Sequence, residues 1–253
     1  MIDYDALPGE RQVMLTRILS ESGRVVCTEA ARLLGVSEHT VRRDLKELVR
    51  QGICKKVYGG AVSQLQQSAP FETRMSQSVQ EKLEVARRSA ALINPGSCVF
   101  IDAGSTYLAM VDFIPQDIDL TIVTNSPHIA AALSGRARCE LILLGGKVNP
   151  DTGSVLGSEP VNGIRNIVFD QAFIGVCGLD SQAGLTAVYF EDACLKKEVM
   201  QQSSEVVAAV IADKLPQVAR YKVSAWEDID ILVVSKATNI ETFSGTTLRI
   251  EVA

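Results

Sequence analysis

Apolar positions divide the chain into two regions of different period. In the first sixty residues they recur at helical spacing. Val13, Met14, Leu15, Ile18 and Leu19 do so in RQVMLTRILSES, Ala30, Ala31, Leu33 and Leu34 in TEAARLLG, and Val41, Leu45 and Leu48 in EHTVRRDLKELVRQ. Three helices are predicted. The first stops near Gly23, the second is capped by Thr28 and ended by Gly35, and the third is capped by Ser37 and ended by Gly52. Val25 and Val26 make a short extended piece, and ICKKVYGGAV places strand residues around a Gly59-Gly60 turn, which predicts a hairpin. Two helices joined at Gly35-Val36 with a hairpin behind them have the spacing of a helix-turn-helix followed by a wing.

Residues 63–78, SQLQQSAPFETRMSQS, are rich in Gln and Ser and show no period, so they read as a linker. Beyond them short β-branched runs alternate with helical segments: QEKLEVARRSAALI, CVFID, a helix after GST, LTIVTN, PHIAAALS and ELILLGG. The alternation resumes after a Gly/Asn-rich stretch with FDQAFIGVCG, EDACLKKEVMQQS, VVAAVIAD and DILVVS. That pattern calls for a mostly parallel sheet covered on both faces. The expected fold class is therefore α/β. A winged helix-turn-helix head (1–62) and a linker (63–78) precede a doubly wound α/β body (79–253).

Composition changes this picture only locally. The 253 residues carry a net charge of −5, which argues against a nucleic-acid binder as a whole. Yet residues 24–62 hold eight Lys or Arg against four Asp or Glu, while 63–253 hold fifteen against twenty-two. The basic head sits on an acidic body, so an anionic polymer would meet the head alone. No apolar run reaches the ~18 residues of a membrane span, and MIDYDALPGERQ lacks the basic start and apolar core of a signal peptide. A cytoplasmic protein is expected. Its six cysteines lie apart with no C-x-x-C pair, which predicts reduced, mostly buried thiols and no zinc; no metal or cofactor is called for.

The third helix carries the first candidate chemistry. At ~100° per residue, with Val41 at zero, Leu45 and Leu48 share its apolar face. His39, Arg43, Lys46 and Arg50 fall opposite, with Arg42 and Thr40 on the shoulders. Guanidinium groups can fork to guanine, and hydroxyl and imidazole groups suit other base edges. Lys55, Lys56 and Tyr58, with Gly59 and Gly60 at the turn, suit phosphates. With Ser37, these residues are the expected DNA contacts. V-S-E-H-T-V-R-R-D-L-K-E-L (Val36 to Leu48) followed by Y-G-G-A (Tyr58 to Ala61) resembles the DeoR family of bacterial transcriptional regulators. In that family the helix reads an operator and the glycine pair belongs to the wing. The resemblance implies that Asp44 pairs locally with a neighbouring Arg.

In the body, loops after predicted strands carry the second. These are D-A-G-S-T (Asp102 to Thr106), T-N-S (Thr124 to Ser126), G-G-K (Gly145 to Lys147) and G-V-C-G-L-D (Gly175 to Asp180). The carboxyl ends of strands line the crevice of a doubly wound sheet, and a Gly-Ser-Thr turn opening a helix offers N–H groups and hydroxyls to an anion. The resemblance extends here and implies the sugar-phosphate isomerase fold, used to bind a phosphorylated sugar or related metabolite. Its patterns fall on Asp102, Gly104, Ser105 and Thr106; on Thr124, Asn125 and Ser126; on Gly145 and Gly146 with Lys147 beside them; on Asp170 and Gly178; and on Lys196. Aspartate stands at Asp192 where glutamate is usual. Many members also read D-x-S-K-[FY] after the strand VVAAVIAD. Here the chain reads D-K-L-P-Q (Asp213 to Gln217), so Lys214 comes two positions early and Pro216 stands at the lysine's place. An acid sugar is compatible as well.

The implied function is a homo-oligomeric regulator, dimer or tetramer, that binds double-stranded operator DNA and represses a carbohydrate-catabolism operon until a small-molecule effector arrives. The competing reading is a DNA-tethered sugar-phosphate isomerase or lyase, with Asp102, Asp170, Asp180 and Lys196 supplying a base and its partner. The fused head and the absence of histidine from the four loops favour the regulator, so no catalytic residue is assigned.

Overall fold

The computed structural model describes residues 8–65, 69–180, 183–239 and 248–253. Residues 1–7, part of the N-terminal signal reading, and 66–68 of the predicted linker lie outside the described residues.

The head forms as its spacing predicts, with α1 (Pro8–Ser22), β1 (Arg24–Val26), α2 (Cys27–Leu34), α3 (Glu38–Arg50), β2 (Cys54–Val57) and β3 (Gly60–Leu65). Leu15, Leu19, Leu34, Val41, Leu45 and Leu48 meet in one buried cluster. Gly35 takes the left-handed conformation that ends α2, and the Ser37 hydroxyl accepts the Thr40 N–H at 3.1 Å to start α3. Thr28 is not a cap: α2 begins one residue earlier, at Cys27, with no side-chain capping bond. The hairpin turn falls on Tyr58-Gly59 rather than Gly59-Gly60. Gly60 instead opens β3, where a Cβ would lie 1.9 Å from the Val25 carbonyl oxygen. Asp44 does pair with an arginine, but not locally. Arg11 of α1 donates to it through Nε at 2.7 Å, both residues being at most 3% exposed. This fastens α3 to α1.

The predicted linker is structured on both sides of 66–68. Residues 63–65 continue β3, and α4 (Phe71–Met75) precedes α5 (Val79–Ala90). The body then runs β4 (Cys98–Ile101), α6 (Ser105–Met110), β5 (Leu120–Thr124), α7 (Pro127–Leu133), β6 (Cys139–Leu143), β7 (Lys147–Asn149), β8 (Ser154–Leu156), α8 (Ser158–Ile164) and β9 (Phe169–Gly175). It continues with β10 (Gly178–Asp180), β11 (Gly184–Ala187), α9 (Phe190–Gln201), β12 (Ser203–Val210), β13 (Val218–Ala219), β14 (Tyr221–Ser224), β15 (Ile231–Val234) and β16 (Arg249–Val252). Seven strands form one parallel sheet in the order β16-β15-β12-β9-β4-β5-β6. Alternate residues feed two cores. Val99, Ile101, Ile122 and Val207 pack with α5, α6 and α7 on one face. Phe100, Val123, Ala208 and Leu232 pack with α8 and α9 on the other. A three-stranded antiparallel sheet, β10-β11-β14, adds Leu179, Leu185 and Val223 to that second core.

The chain proceeds outward from β4 through β5 to β6 and then returns to the other side of β4 as β9. The β4/β9 boundary is thus the switch point where carboxyl-end loops diverge and leave a crevice. All six cysteines are free; Cys27 and Cys54 are buried and the other four are half-buried, fewer in the core than expected. Among the described residues no helix is long and apolar enough to cross a membrane.

Removing one member of a buried ion pair strands the other charge, at a cost of ~3–5 kcal/mol. Asp44→Asn should therefore lower unfolding free energy by about that amount in denaturant titration, and pairing it with Arg11→Met should recover much of the loss.

Candidate functional site

A cavity opens at the switch point. Its walls come from the loop after β4 (Ala103 to Thr106), the residues after β9 (Val176 and Cys177), the end of β12 through Lys214, and α9. α4, α5 and the turn between them supply Arg74, Gln77, Ser78 and Lys82, and the β7–β8 hairpin supplies Thr152 and Ser154. Of the predicted effector contacts, Gly104, Ser105, Thr106 and Lys196 line this cavity.

Beneath the loop lies a buried ion triad. Lys196 donates to Asp102 Oδ2 at 2.6 Å and lies 2.9 Å from Asp192 Oδ1, one helical turn back on α9. Asp102 Oδ2 also accepts the Gly175 N–H at 2.8 Å, which ties β4 to β9 across the switch point. Burial alone would lower the Lys196 ammonium pKa, but Asp102, Asp192 and Cys177 outweigh it and raise it above the ordinary range. The lysine stays charged, with its charge already answered by two carboxylates.

Other predicted residues support the loop from behind. Thr124 Oγ1 donates to the Ile101 carbonyl at 2.7 Å, Asn125 Oδ1 accepts the Ala103 N–H at 3.0 Å, and Ser126 caps α7; all three are fully buried. They hold the shape of the site without lining it. Asp102 Oδ1 and Asn125 Nδ2 are buried with no hydrogen-bond partner among the described residues. Gly178 lies in β10, packed so closely on Gln217 that a Cβ would come within 2.8 Å of its carbonyl oxygen.

Two expectations need correction. Asp170 is at the amino end of β9, where it accepts the Cys98 N–H at 2.7 Å, on the opposite edge of the sheet from the cavity. A residue five positions before the strand's end cannot reach a carboxyl-edge site. Gly145, Gly146 and Lys147 link β6 to β7 outside the cavity, and Lys147 faces a separate surface depression beside Glu159 and Glu191. Gly146 serves the turn itself, at φ 138°.

What sequence reasoning missed is the wall made by α4. Phe71 is buried, stacks on His128 of α7 with ring centroids 4.6 Å apart, and sits against Gly153. Arg74 donates to the Thr152 carbonyl at 3.2 Å, and Lys82 Nζ donates to the carbonyls of Arg74 and Gln77. Lys82 is 7% exposed, and its pKa is lowered by burial and by the neighbouring Lys214 and Arg74. One Phe amid Ser and Gln was the available signal for this anchor.

On the head, His39, Arg43 and Lys46 are exposed on one side of α3. Arg42 pairs with Glu38 at 2.8 Å and Thr40 with the Ser37 hydroxyl at 2.9 Å, both reversible surface contacts. Tyr58 is 93% exposed at the wing tip, with Lys56 exposed and Lys55 half-buried beside it on β2. A cationic helix face, a projecting wing and a charged cavity at a switch point define a ligand-responsive DNA-binding protein.

Comparison with known proteins places it more closely. Residues 11–67 match the DeoR-like helix-turn-helix domain, and residues 77–236 match the DeoR C terminal sensor domain. The uncharacterized HTH-type transcriptional regulator FruR of Bacillus subtilis (strain 168) is 33% identical over 82% of each chain. The HTH-type transcriptional repressor GlcR of the same organism is 31% identical over 91% of this chain and 89% of its own. The glycerol-3-phosphate regulon repressor of Escherichia coli (strain K12) is 27% identical over 87% of this chain and 88% of its own. The chain belongs to the DeoR family of transcriptional regulators.

Lys196→Met should leave Asp102 and Asp192 facing each other without a cation. A loss of ~3–5 kcal/mol is expected in urea unfolding, with partial recovery when Asp192→Leu is added.

Proposed function

We propose that this protein is a cytoplasmic, homo-oligomeric repressor of a carbohydrate-catabolism operon, whose hold on operator DNA is relaxed by a phosphorylated sugar or related sugar-derived metabolite in the switch-point cavity. The observation that carries the reading is the cavity itself. Hydroxyls and backbone N–H groups of Gly104, Ser105 and Thr106 share it with the cations Arg74, Lys82 and Lys214. Hydroxyls and carboxylates suit a polyol, and cations with free N–H groups suit its anionic end. Relatives named as the repressor GlcR and as a glycerol-3-phosphate regulon repressor support the same assignment. A single winged helix reads few base pairs, and a dimer or larger assembly couples half-sites and multiplies phosphate contacts.

Binding without turnover fits the triad. Lys196 held protonated between two carboxylates is a poor general base, and the fused DNA-binding head favours the regulator over the isomerase reading. On the head, Arg43, His39, Thr40 and Arg42 read base edges, and Lys46, Lys55, Lys56 and Tyr58 hold phosphates, with Ser37 fixing the start of the helix and Gly59 and Gly60 shaping the wing.

Two measurements test this. Arg43→Ala should cost ~1–3 kcal/mol on the specific site, whereas Lys56→Ala should weaken all DNA alike and flatten the salt slope by about one unit. Parental operator affinity in Arg43→Ala would remove α3 from base reading. Ser105→Asp places a carboxylate in the loop and should give a folded repressor that binds its operator but ignores inducing sugar phosphates. An unchanged inducer response in that variant would remove the loop from the site.

A further inference from the structure

The cavity's charges are unevenly committed. Lys196 is neutralised by Asp102 and Asp192, so it offers little to an incoming anion. Arg74, Lys82 and Lys214 stand together on the opposite walls with Asp213 among them; Arg74 and Lys82 also donate to backbone carbonyls, which fix their positions. That carboxylate already accepts the Ser78 hydroxyl at 3.2 Å. Lys214 is half-buried; its backbone N–H donates to the Ile211 carbonyl at 3.0 Å, and its ammonium group makes no hydrogen bond or ion pair among the described residues. Burial lowers its pKa, with Arg74 adding to the effect, as expected of an ammonium among cations.

Lys214 is also where the cavity wall turns toward the head. Pro216 lies against Gly23 at the α1–β1 turn; a Cβ on Gly23 would be 2.6 Å from its carbonyl oxygen. Gln217 donates its N–H to the Leu179 carbonyl at 3.2 Å. The next two residues, Val218 and Ala219, form β13, which pairs in parallel with residues 64 and 65 of β3. The Ala219 N–H donates to Thr186 Oγ1 at 2.8 Å, and that hydroxyl donates to the Gly178 carbonyl at 3.0 Å. Three residues therefore separate a cation in the cavity from a strand in the wing's sheet.

We propose that Arg74, Lys82 and Lys214 form the anion-binding wall of the effector site, taking a dianionic phosphoryl group, and that Lys214 passes its capture to β3 through residues 215–219. The proposal rests on the effector reading above and adds the dianionic group those cations take and how the head is informed. Drawing Lys214 toward an anion moves a segment whose far end is fastened to the wing strand by one short pairing. The Ser78–Asp213 bond joins the start of α5, on the other wall, to the same movement.

Inorganic phosphate is the probe, added to the full-length protein with melting temperature and amide hydrogen exchange as readouts. The parent should be stabilised by millimolar phosphate, Lys214→Gln should bind it about tenfold or more weakly, and Lys214→Arg should keep most of the affinity. Lys236→Gln, at an exposed lysine outside the cavity, should respond like the parent. Peptides covering 57–65 should change their exchange on phosphate addition in the parent. In Thr186→Val, which keeps the shape but drops the hydroxyl that holds Ala219, phosphate should still bind and that change should fade. The proposal falls if phosphate does not stabilise the parent, if Lys214→Gln binds as the parent does, or if exchange in 57–65 is indifferent to phosphate. Ser105→Asp separates this from the parent reading. Loss of binding there with Lys214→Gln unaffected keeps the site and discards the lysine. The reverse keeps the lysine and discards the loop. Unaltered binding in both discards both.

Discussion

Strand β3 hydrogen-bonds to both halves of the chain. Its residues 60–63 pair with β1 and β2 inside the head, and its last two, 64 and 65, pair with β13 of the body. A backbone hydrogen bond contributes ~0.5–1.5 kcal/mol net, so a two-residue pairing holds the halves by only a few kcal/mol. That is the scale of allosteric coupling, ~1–3 kcal/mol. A longer shared strand would fuse head and body beyond the reach of a small ligand, and none at all would leave them uncoupled. The α4 wall leaves the same strand at residue 65, so the two cavity walls that carry Arg74 and Lys214 both lead back to β3.

Both halves settle their buried charges internally, and this decides which charges remain for function. In the head Asp44 answers Arg11 between α3 and α1, leaving Arg43 and Lys46 on the outer side of α3 without an acid beneath them. In the body Asp102 and Asp192 answer Lys196. The motif R-R-D-L thus buries Asp44 and Leu45 and exposes Arg42 and Arg43, and D-A-G-S-T buries Asp102 while Gly104, Ser105 and Thr106 border the cavity. Adjacent positions on a helix or loop face different ways, and that is sufficient to separate the two roles.

The fold was legible because period is a direct consequence of burial. Helical spacing marked α1 to α3, and β-branched runs marked the strands of the parallel sheet, each buried on both faces. The support residues Thr124, Asn125 and Ser126 were found for the wrong reason: hydroxyls and amides after a strand can shape a loop as readily as bind a ligand. Asp170 was misplaced because a motif spanning a whole strand has one end at each edge of the sheet. The strands β10, β11 and β14 are three or four residues long, too short for a period to register. The α4 wall escaped because its order comes from one anchor, Phe71 between His128 and Gly153, and a single apolar residue has no period.

The D-K-L-P-Q segment shows how a displaced lysine can be a consequence of packing. Residue 216 does not border the cavity here; its ring lies against Gly23 in the head, where a compact side chain with no N–H to satisfy is accommodated beside a glycine. A long cationic chain at that place would have to leave the contact with the head or cover it. Lys214 closes the short turn Ala212–Lys214 and is the last residue of the segment to line the cavity before the chain turns to the wing. A lysine two positions early therefore keeps a cation in the cavity and frees position 216 for contact with the head. The departure from the common motif and the tie between the halves have one physical origin: the chain from Lys214 to Ala219 must serve the cavity at one end and β3 at the other.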